Sequence, residues 1–214
     1  MSIKILDENR IQLLSKLDSL PFIKDYSLGG GTALSLQKTY RQSYDFVFFT
    51  DMHFDTNELL TILKSNFDNI IVIDQREKIS TLNLYINDIQ VSFFEYKYKP
   101  IRDFVHLSRF KNIKLLSIYD ILAMKCVAIA QRGSKKDFFD TYFILKENCI
   151  SPETLIKLLI EKFNEKNLIK NLIFSIGYFA DAEKDLLPLA FVEYSWEDIK
   201  SFFVNYQKNL LRSI

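Results

Sequence analysis

The sequence predicts a mixed α/β chain, with a strand-bearing half over residues 1–115 followed by an all-helical half over 116–214. Three observations carry this. "TLNLYINDIQVSFFEY" alternates apolar and polar residues on both sides of Asn87-Asp88, the signature of a hairpin. Gly29, Gly30 and Gly31 stand between a strand-like and a helix-like run, although the chain has only 5 glycines. From Ser117 onward, apolar residues recur at helical spacing and no further strand signal appears.

Taken in order, Leu6–Leu17 reads as an opening helix with Asp7 as its cap, closed by Pro21. Phe22–Leu28 reads as a short strand feeding the glycines, and Thr32–Thr39 as a helix. "YDFVFF", Tyr44–Phe49, is strand-like through its aromatic and branched content. A helix over Asn57–Asn66 and a strand over Ile70–Ile73 precede the hairpin. Helices follow at Ile118–Ala130, Lys135–Glu147, Pro152–Phe163, Leu168–Phe179 and Trp196–Leu211. Ser151-Pro152-Glu153 is a strong helix start, with proline at the first helical position.

Bulk properties set the frame. The 214 residues supply enough material for a sizeable core, and a net charge of +1 gives no global signal for nucleic acid. Cys126 and Cys149 lack metal-type spacing and are too few for a disulfide framework. With no apolar signal core in "MSIKILDENR" and no span of membrane length, the expectation is a cytoplasmic protein with no membrane association.

Strand, glycines and helix together make a recipe for holding an anion. Bare backbone approaches a phosphate closely, and a helix N-terminus presents N–H groups at its positive end. A tight strand-to-helix turn requires the same residues, and the glycine and lysine spacings of a P-loop or dinucleotide fingerprint are absent. On the next strand, Asp45 and position 47 share a face, where two carboxylates could hold Mg²⁺ for phosphoryl transfer. Position 47 is valine, so Asp45 stands alone.

The helical half carries a second constellation. Lys125 is the only charged residue from Ile121 to Ala130, so it either snorkels to solvent or faces an anion. Asp137 and Asp140 share a helix face and repel unless a cation sits between them; Lys125, Arg132 or a metal could serve. Alternatively, Lys135 and Lys136 simply neutralise a solvated helix start. Lys97, Lys99, Arg102, Arg109 and Lys111, interleaved with Tyr96, Tyr98, Phe104 and Phe110, could line a nucleic-acid groove or pack a loop.

"SLGGGTALSLQKTYRQSYDFVFFT" and "SIYDILAMKCVAIAQRGSKKDFFDTYFIL" resemble the two main motifs of the AbiEii/AbiGii-type toxin nucleotidyltransferases, members of the polymerase-β-like superfamily. Gly30, Gly31, Thr32, Arg41, Ser43 and Asp45 match the first motif, whose second aspartate is replaced by Val47. Asp120, Lys125, Arg132, Gly133, Ser134, Lys135, Lys136, Asp137 and Asp140 match the second. The resemblance implies a polymerase-β-like nucleotidyltransferase sheet followed by a helical bundle that contributes to the active-site cleft. It implies transfer of a nucleoside monophosphate from a nucleoside triphosphate to an acceptor such as the end of an RNA, tRNA included. Gly30, Gly31 and Thr32 would hold the triphosphate and Asp45 the Mg²⁺; Ser43, Arg132 and Lys136 would join the nucleotide site. Lys125 would reach a phosphate, and Asp137 and Asp140 would act as orienting acid or base. It further implies an antitoxin with a DNA-binding domain that acts without a tight complex. Val47 opens the alternative of an inactive nucleotide- or RNA-binding module on the same fold. A later strand often adds a third carboxylate in such enzymes; here Ser92 stands there, and Glu95 falls on the opposite face.

Overall fold

The structure is a computed structural model that describes residues 5–213. The chain forms two units. One comprises the described residues of Met1–Leu36, Ser43–Lys99 and Asp103–Ser117; the other comprises Gln37–Gln42, Pro100–Arg102 and the described residues from Ile118 onward.

The first unit is built on a seven-stranded mixed sheet in the order β3 (Ile70–Arg76), β4 (Thr81–Ile86), β5 (Ile89–Glu95), β2 (Phe46–Thr50), β1 (Ser27–Gly29), β7 (Lys114–Leu115) and β6 (Val105–His106). Helix α1 (Glu8–Ser19) opens as expected on Asp7, whose carboxylate accepts from the Arg10 amide at 2.9 Å. The expected strand over Phe22–Leu28 is different: Pro21–Asp25 forms a 3-10 turn, and only Ser27–Gly29 is strand β1. Proline at the head of Pro21–Asp25 removes a ladder donor and fixes φ in the helical range, so pairing begins only after it. Helix α2 (Gly30–Lys38) follows with no intervening loop.

Strand β2 (Phe46–Thr50) runs antiparallel to β1 and parallel to β5. Asp45 therefore precedes the strand rather than lying within it. Helix α3 (Thr56–Asn66), capped by Asp55, leads to β3 (Ile70–Arg76), β4 (Thr81–Ile86) and β5 (Ile89–Glu95). The β4–β5 turn is Asn87-Asp88, both at positive φ (48° and 63°), the geometry of a two-residue hairpin. Strands β6 (Val105–His106) and β7 (Lys114–Leu115) complete the sheet beside β1. Alternation assigns the faces: Leu28, Phe48, Leu82, Phe93 and Leu115 are fully buried on one, while Val47, Phe49 and Phe94 are half-buried on the other.

Asp18 at the end of α1 ties down the segment before β7. Its carboxylate accepts from the amides of Lys111, Asn112 and Ile113 at 2.7–2.8 Å.

In the second unit, α4 (Ile118–Gln131) packs against α5 (Lys135–Glu147), α6 (Pro152–Phe163) and α7 (Lys166–Ser175), and α8 (Trp196–Arg212) closes over α5, α6 and α7. The buried positions of α8 are Ile199, Phe203, Tyr206 and Leu210, one stripe at helical spacing. Phe138 anchors an aromatic core with Phe179, Trp196 and Phe203 at 5.2–6.1 Å. No helix among the described residues is long and apolar enough to cross a membrane.

Candidate functional site

The glycine run divides its labour. At Gly29 a Cβ would stand 2.7 Å from Cε2 of Phe49 and 3.0 Å from Cδ1 of Leu116, so the position is bare to admit a ring over β1. Gly30 has φ +65°, a backbone conformation costly for residues with a Cβ. Gly31 lies in the first turn of α2, where backbone amides have no intrahelical acceptor. The glycines thus form the helix start itself.

The turn is fastened to the strand beside it. The buried Thr32 hydroxyl donates to the backbone carbonyl of Asp45 at 2.5 Å, and the Ser43 hydroxyl reaches the Asp45 carboxylate at 3.4 Å. Arg10 holds the same segment, donating to the Tyr44 carbonyl at 2.9 Å and lying over its ring. Gly30, Gly31, Thr32, Ser43 and Asp45 therefore come together in the first unit. Thr32 acts through the backbone of Asp45, leaving its own amide in the first turn of α2.

Register fixes what surrounds Asp45. Gly29, Val47, Ser92, Asn83 and Asp74 are successive in-register partners across β1, β2, β5, β4 and β3, so they share one face. A Cβ on Gly30 would lie 3.6 Å from Cγ2 of Val47, so the valine side chain looks onto the helix start. Its neighbour on β5 is Ser92. Glu95 lies on the other face, bonded to His53 at 2.8 Å and to the Ser80 amide at 3.2 Å; these bonds, His53 first, lower its carboxyl to about 2. Beside Gly30 this face offers a divalent metal Asp45 as its carboxylate, since Asp74 stands three strands away on β3 and is held by Arg76, and no group of three His, Cys, Asp or Glu side chains among the described residues could hold an ion. The donor set does not fit a resident metal pair.

The second unit gathers Arg41, Lys125, Arg132, Asp137 and Asp140. Lys125 Nζ lies 2.8 Å from Asp137 Oδ1 and 2.7 Å from Asp140 Oδ2, so the lysine is the cation between the two aspartates. Arg41 grips Asp140 with two bonds, Nε to Oδ1 at 2.7 Å and Nη2 to Oδ2 at 2.8 Å. Asp137 also accepts from Arg132 Nε at 2.8 Å, Arg132 Nη2 at 3.1 Å and the Ser134 hydroxyl at 2.6 Å. Both aspartates are fully buried, Lys125 and Arg41 nearly so, while the Arg132 side chain is 59% exposed. Burial alone would raise both carboxyls. Lys125 with Arg132 and Lys125 with Arg41 overcome it, holding Asp137 and Asp140 below the ordinary carboxylate range. Burial disfavours the Lys125 ammonium, yet Asp140 and Asp137 carry it above its ordinary value.

Lysines 135 and 136 separate. Lys136 is exposed on the first turn of α5. Lys135 is buried: its amide donates to the Asp185 carboxylate and its ammonium to the Asp185 carbonyl, both at 2.8 Å, so it is not a solvated counter-charge. Two further charges are buried elsewhere. Asp120 accepts from Lys162 at 2.7 Å and from the Ile101 amide at 2.9 Å. Sequence reasoning missed the Arg41–Asp140 pair, which spans 99 residues; the only signal was the place of Arg41 in the first motif.

Comparison with known proteins adds three findings. Residues 82–204, more than half of the chain, match the family model described as "Nucleotidyl transferase AbiEii toxin, Type IV TA system". An uncharacterized protein of Aquifex aeolicus, aq_aa25, is 33% identical over 221 residues, covering 98% of this chain and 99% of that protein. The crystal structure of a provisionally assigned nucleotidyltransferase from H. pylori superposes with a TM-score of 0.52 at 17% identity, covering 97% of this chain and 98% of that one, a likeness of fold. The glycine segment lies ahead of the family match, whereas Ser92 and the Lys125–Asp140 cluster lie inside it.

Proposed function

This chain belongs to the AbiEii family of nucleotidyltransferase toxins, and from that premise we propose that it transfers a nucleoside monophosphate from a nucleoside triphosphate to the end of an RNA, with tRNA a natural acceptor. The observation that carries the reading is the joint of α2 and β2. Bare first-turn amides at Gly30 and Gly31 stand beside a carboxylate, Asp45, whose backbone is fixed by Thr32. Such a joint receives a triphosphate on the amides and keeps one carboxylate beside it. The acceptor hydroxyl attacks the α-phosphorus and gives up its proton to solvent, the bond from that phosphorus to the α,β-bridging oxygen breaks, and pyrophosphate leaves with the electrons of that bond.

In this proposal Asp45 is the catalytic carboxylate and Ser43 steadies it. Asp45 would be the protein ligand of a Mg²⁺ ion bound to the triphosphate, which would supply neutralisation of phosphate charge. Arg132 and Lys136 are the phosphate-binding cations of the helical unit. Lys125, Asp137 and Asp140 are positioning residues: buried and held ionised, they keep Arg132 oriented and are poorly suited to exchanging protons with a substrate. The protein works in the cytoplasm, opposed by an antitoxin that carries a DNA-binding domain and forms no tight complex with it.

Val47 favours a second reading, an inactive nucleotide- or RNA-binding module, because a second carboxylate is missing where the strand faces Gly30. Incubating the protein with α-labelled nucleotides, Mg²⁺ and total RNA separates the two. The proposal expects slow label incorporation that Asp45→Asn abolishes. The module expects nucleotides to raise the melting temperature with no incorporation, and a protein binding neither nucleotide nor RNA would defeat both.

A further inference from the structure

The face that holds Val47 carries a second row, one residue pair further along the strands. Thr81, Phe94, Phe49, Ser27, Lys114 and His106 are successive in-register partners across β4, β5, β2, β1, β7 and β6, so all six share that face. At its centre the Phe49 and Phe94 rings stack at 5.9 Å. The aromatic run continues beyond β5: Tyr96 lies 5.4 Å from Phe49, and Tyr98 lies 5.2 Å from Tyr96. The Tyr96 amide extends the ladder by donating to the Thr50 carbonyl at 2.7 Å, which keeps this segment alongside β2.

These rings form a connected surface rather than a core. Phe49, Phe94 and Tyr96 are half-buried, and Tyr98 is 40% exposed. Cations stand beside them: Lys114 belongs to the same row and Lys99, in the same stretch, is exposed, whereas Lys97 pairs with Glu95 at 3.4 Å on the other face. Rings beside cations suit a chain that carries both flat and anionic groups. Bases have π-faces for the rings and phosphates have charge for the lysines. Phe49 lies two residues from Val47, about 6–7 Å along the strand, so a strand end presented at Asp45 would pass over this row.

We infer that Phe49, Phe94, Tyr96 and Tyr98, with Lys99 and Lys114, form a stacking platform for a single-stranded polynucleotide, the terminal segment of the acceptor. The site is an acceptor site only if the nucleotidyl-transfer reading above holds; strand binding itself stands apart from it. Stacking requires bases free of pairing, so single strands bind in preference to duplex.

Fluorescence anisotropy with fluorescein-labelled 12-mers of RNA and of DNA in the same sequence, and with the RNA duplex, tests this on the full chain. Single strands bind more tightly than duplex, and Tyr98→Ala weakens them roughly 5- to 150-fold, the worth of one stacked base. Tyr98→Phe, which keeps the ring, stays within about twofold. The tighter of the RNA and DNA arms names the polymer, and either supports the platform. Preference for duplex, no binding of single strands, or unchanged binding in both Tyr96→Ala and Tyr98→Ala overturns it. A transfer assay in a Val47→Asp background separates the two readings. Transfer with an unaltered acceptor KM in Tyr98→Ala overturns the platform alone. Ring-dependent strand binding without transfer overturns the nucleotidyl reading alone.

Discussion

Replacing Lys125 by methionine removes the charge at the centre of the helical unit while keeping a chain of similar length. Asp137 and Asp140, both fully buried, each lose one partner at 2.7–2.8 Å. Breaking a buried ion pair from one side costs roughly 3–5 kcal/mol, because the remaining charge is left desolvated. Here Arg132 and Ser134 still serve Asp137 and Arg41 still serves Asp140, which places the loss near the lower end, about 3 kcal/mol. For a chain of this size that is a fall of roughly 6–12 °C in melting temperature. Acidity supplies an independent check. In the parent both carboxyls titrate below their unfolded values, so their contribution is full above the unfolded carboxyl pKa and is lost only as pH falls below it. In the variant each carboxyl has lost a cation that lowers it while burial still raises it, so both should titrate higher than in the parent. Acidification from pH 7 towards 4 then stabilises the variant relative to the parent, and the gap narrows. Urea unfolding of both proteins across that range measures it. A loss under about 1 kcal/mol, or a gap unchanged with pH, would refute the view of Lys125 as the cation shared by two buried carboxylates.

Two other substitutions probe the sheet unit. Gly30→Ala has room for its Cβ, 3.6 Å from Val47, but must hold φ +65°; it should cost about 1–2 kcal/mol and weaken nucleotide-induced stabilisation, readable in one thermal-shift titration. Asp18→Ala leaves the amides of Lys111, Asn112 and Ile113 without their acceptor and should destabilise by about 3 kcal/mol, with faster hydrogen exchange at those amides as the local signature.

Much of this architecture was legible because the signals are local. Ser151-Pro152 starts α6 where expected, since capping and proline act within one turn, and the Asn87-Asp88 break gave the hairpin for the same reason. The start of β1 was misread because "FIKDYS" has strand-like residues but follows Pro21, and the turn prevailed. Strands β6 and β7 have two residues each, too short for any periodicity to register. At the candidate site, residue types and spacing identified Gly30, Thr32 and Asp45, and left open which cation joins Asp137 to Asp140. Position alone could not reveal that Thr32 serves the Asp45 backbone, or that Arg41 closes on Asp140 from 99 residues away. Nor could it reveal that Phe49 and Phe94 stack, since that depends on the register of two parallel strands.

The most direct measurement is nucleotidyl transfer by Val47→Asp compared with the parent. The substitution sets a second carboxylate next to Ser92 on the face that looks onto Gly30. Labelled nucleotide should enter RNA at least tenfold faster, a difference of about 1.4 kcal/mol in the barrier, and the gain should vanish when Asp45→Asn is added. Equal incorporation by the parent and Val47→Asp, or a gain that survives Asp45→Asn, would contradict a catalytic role for this helix start and its neighbouring carboxylate.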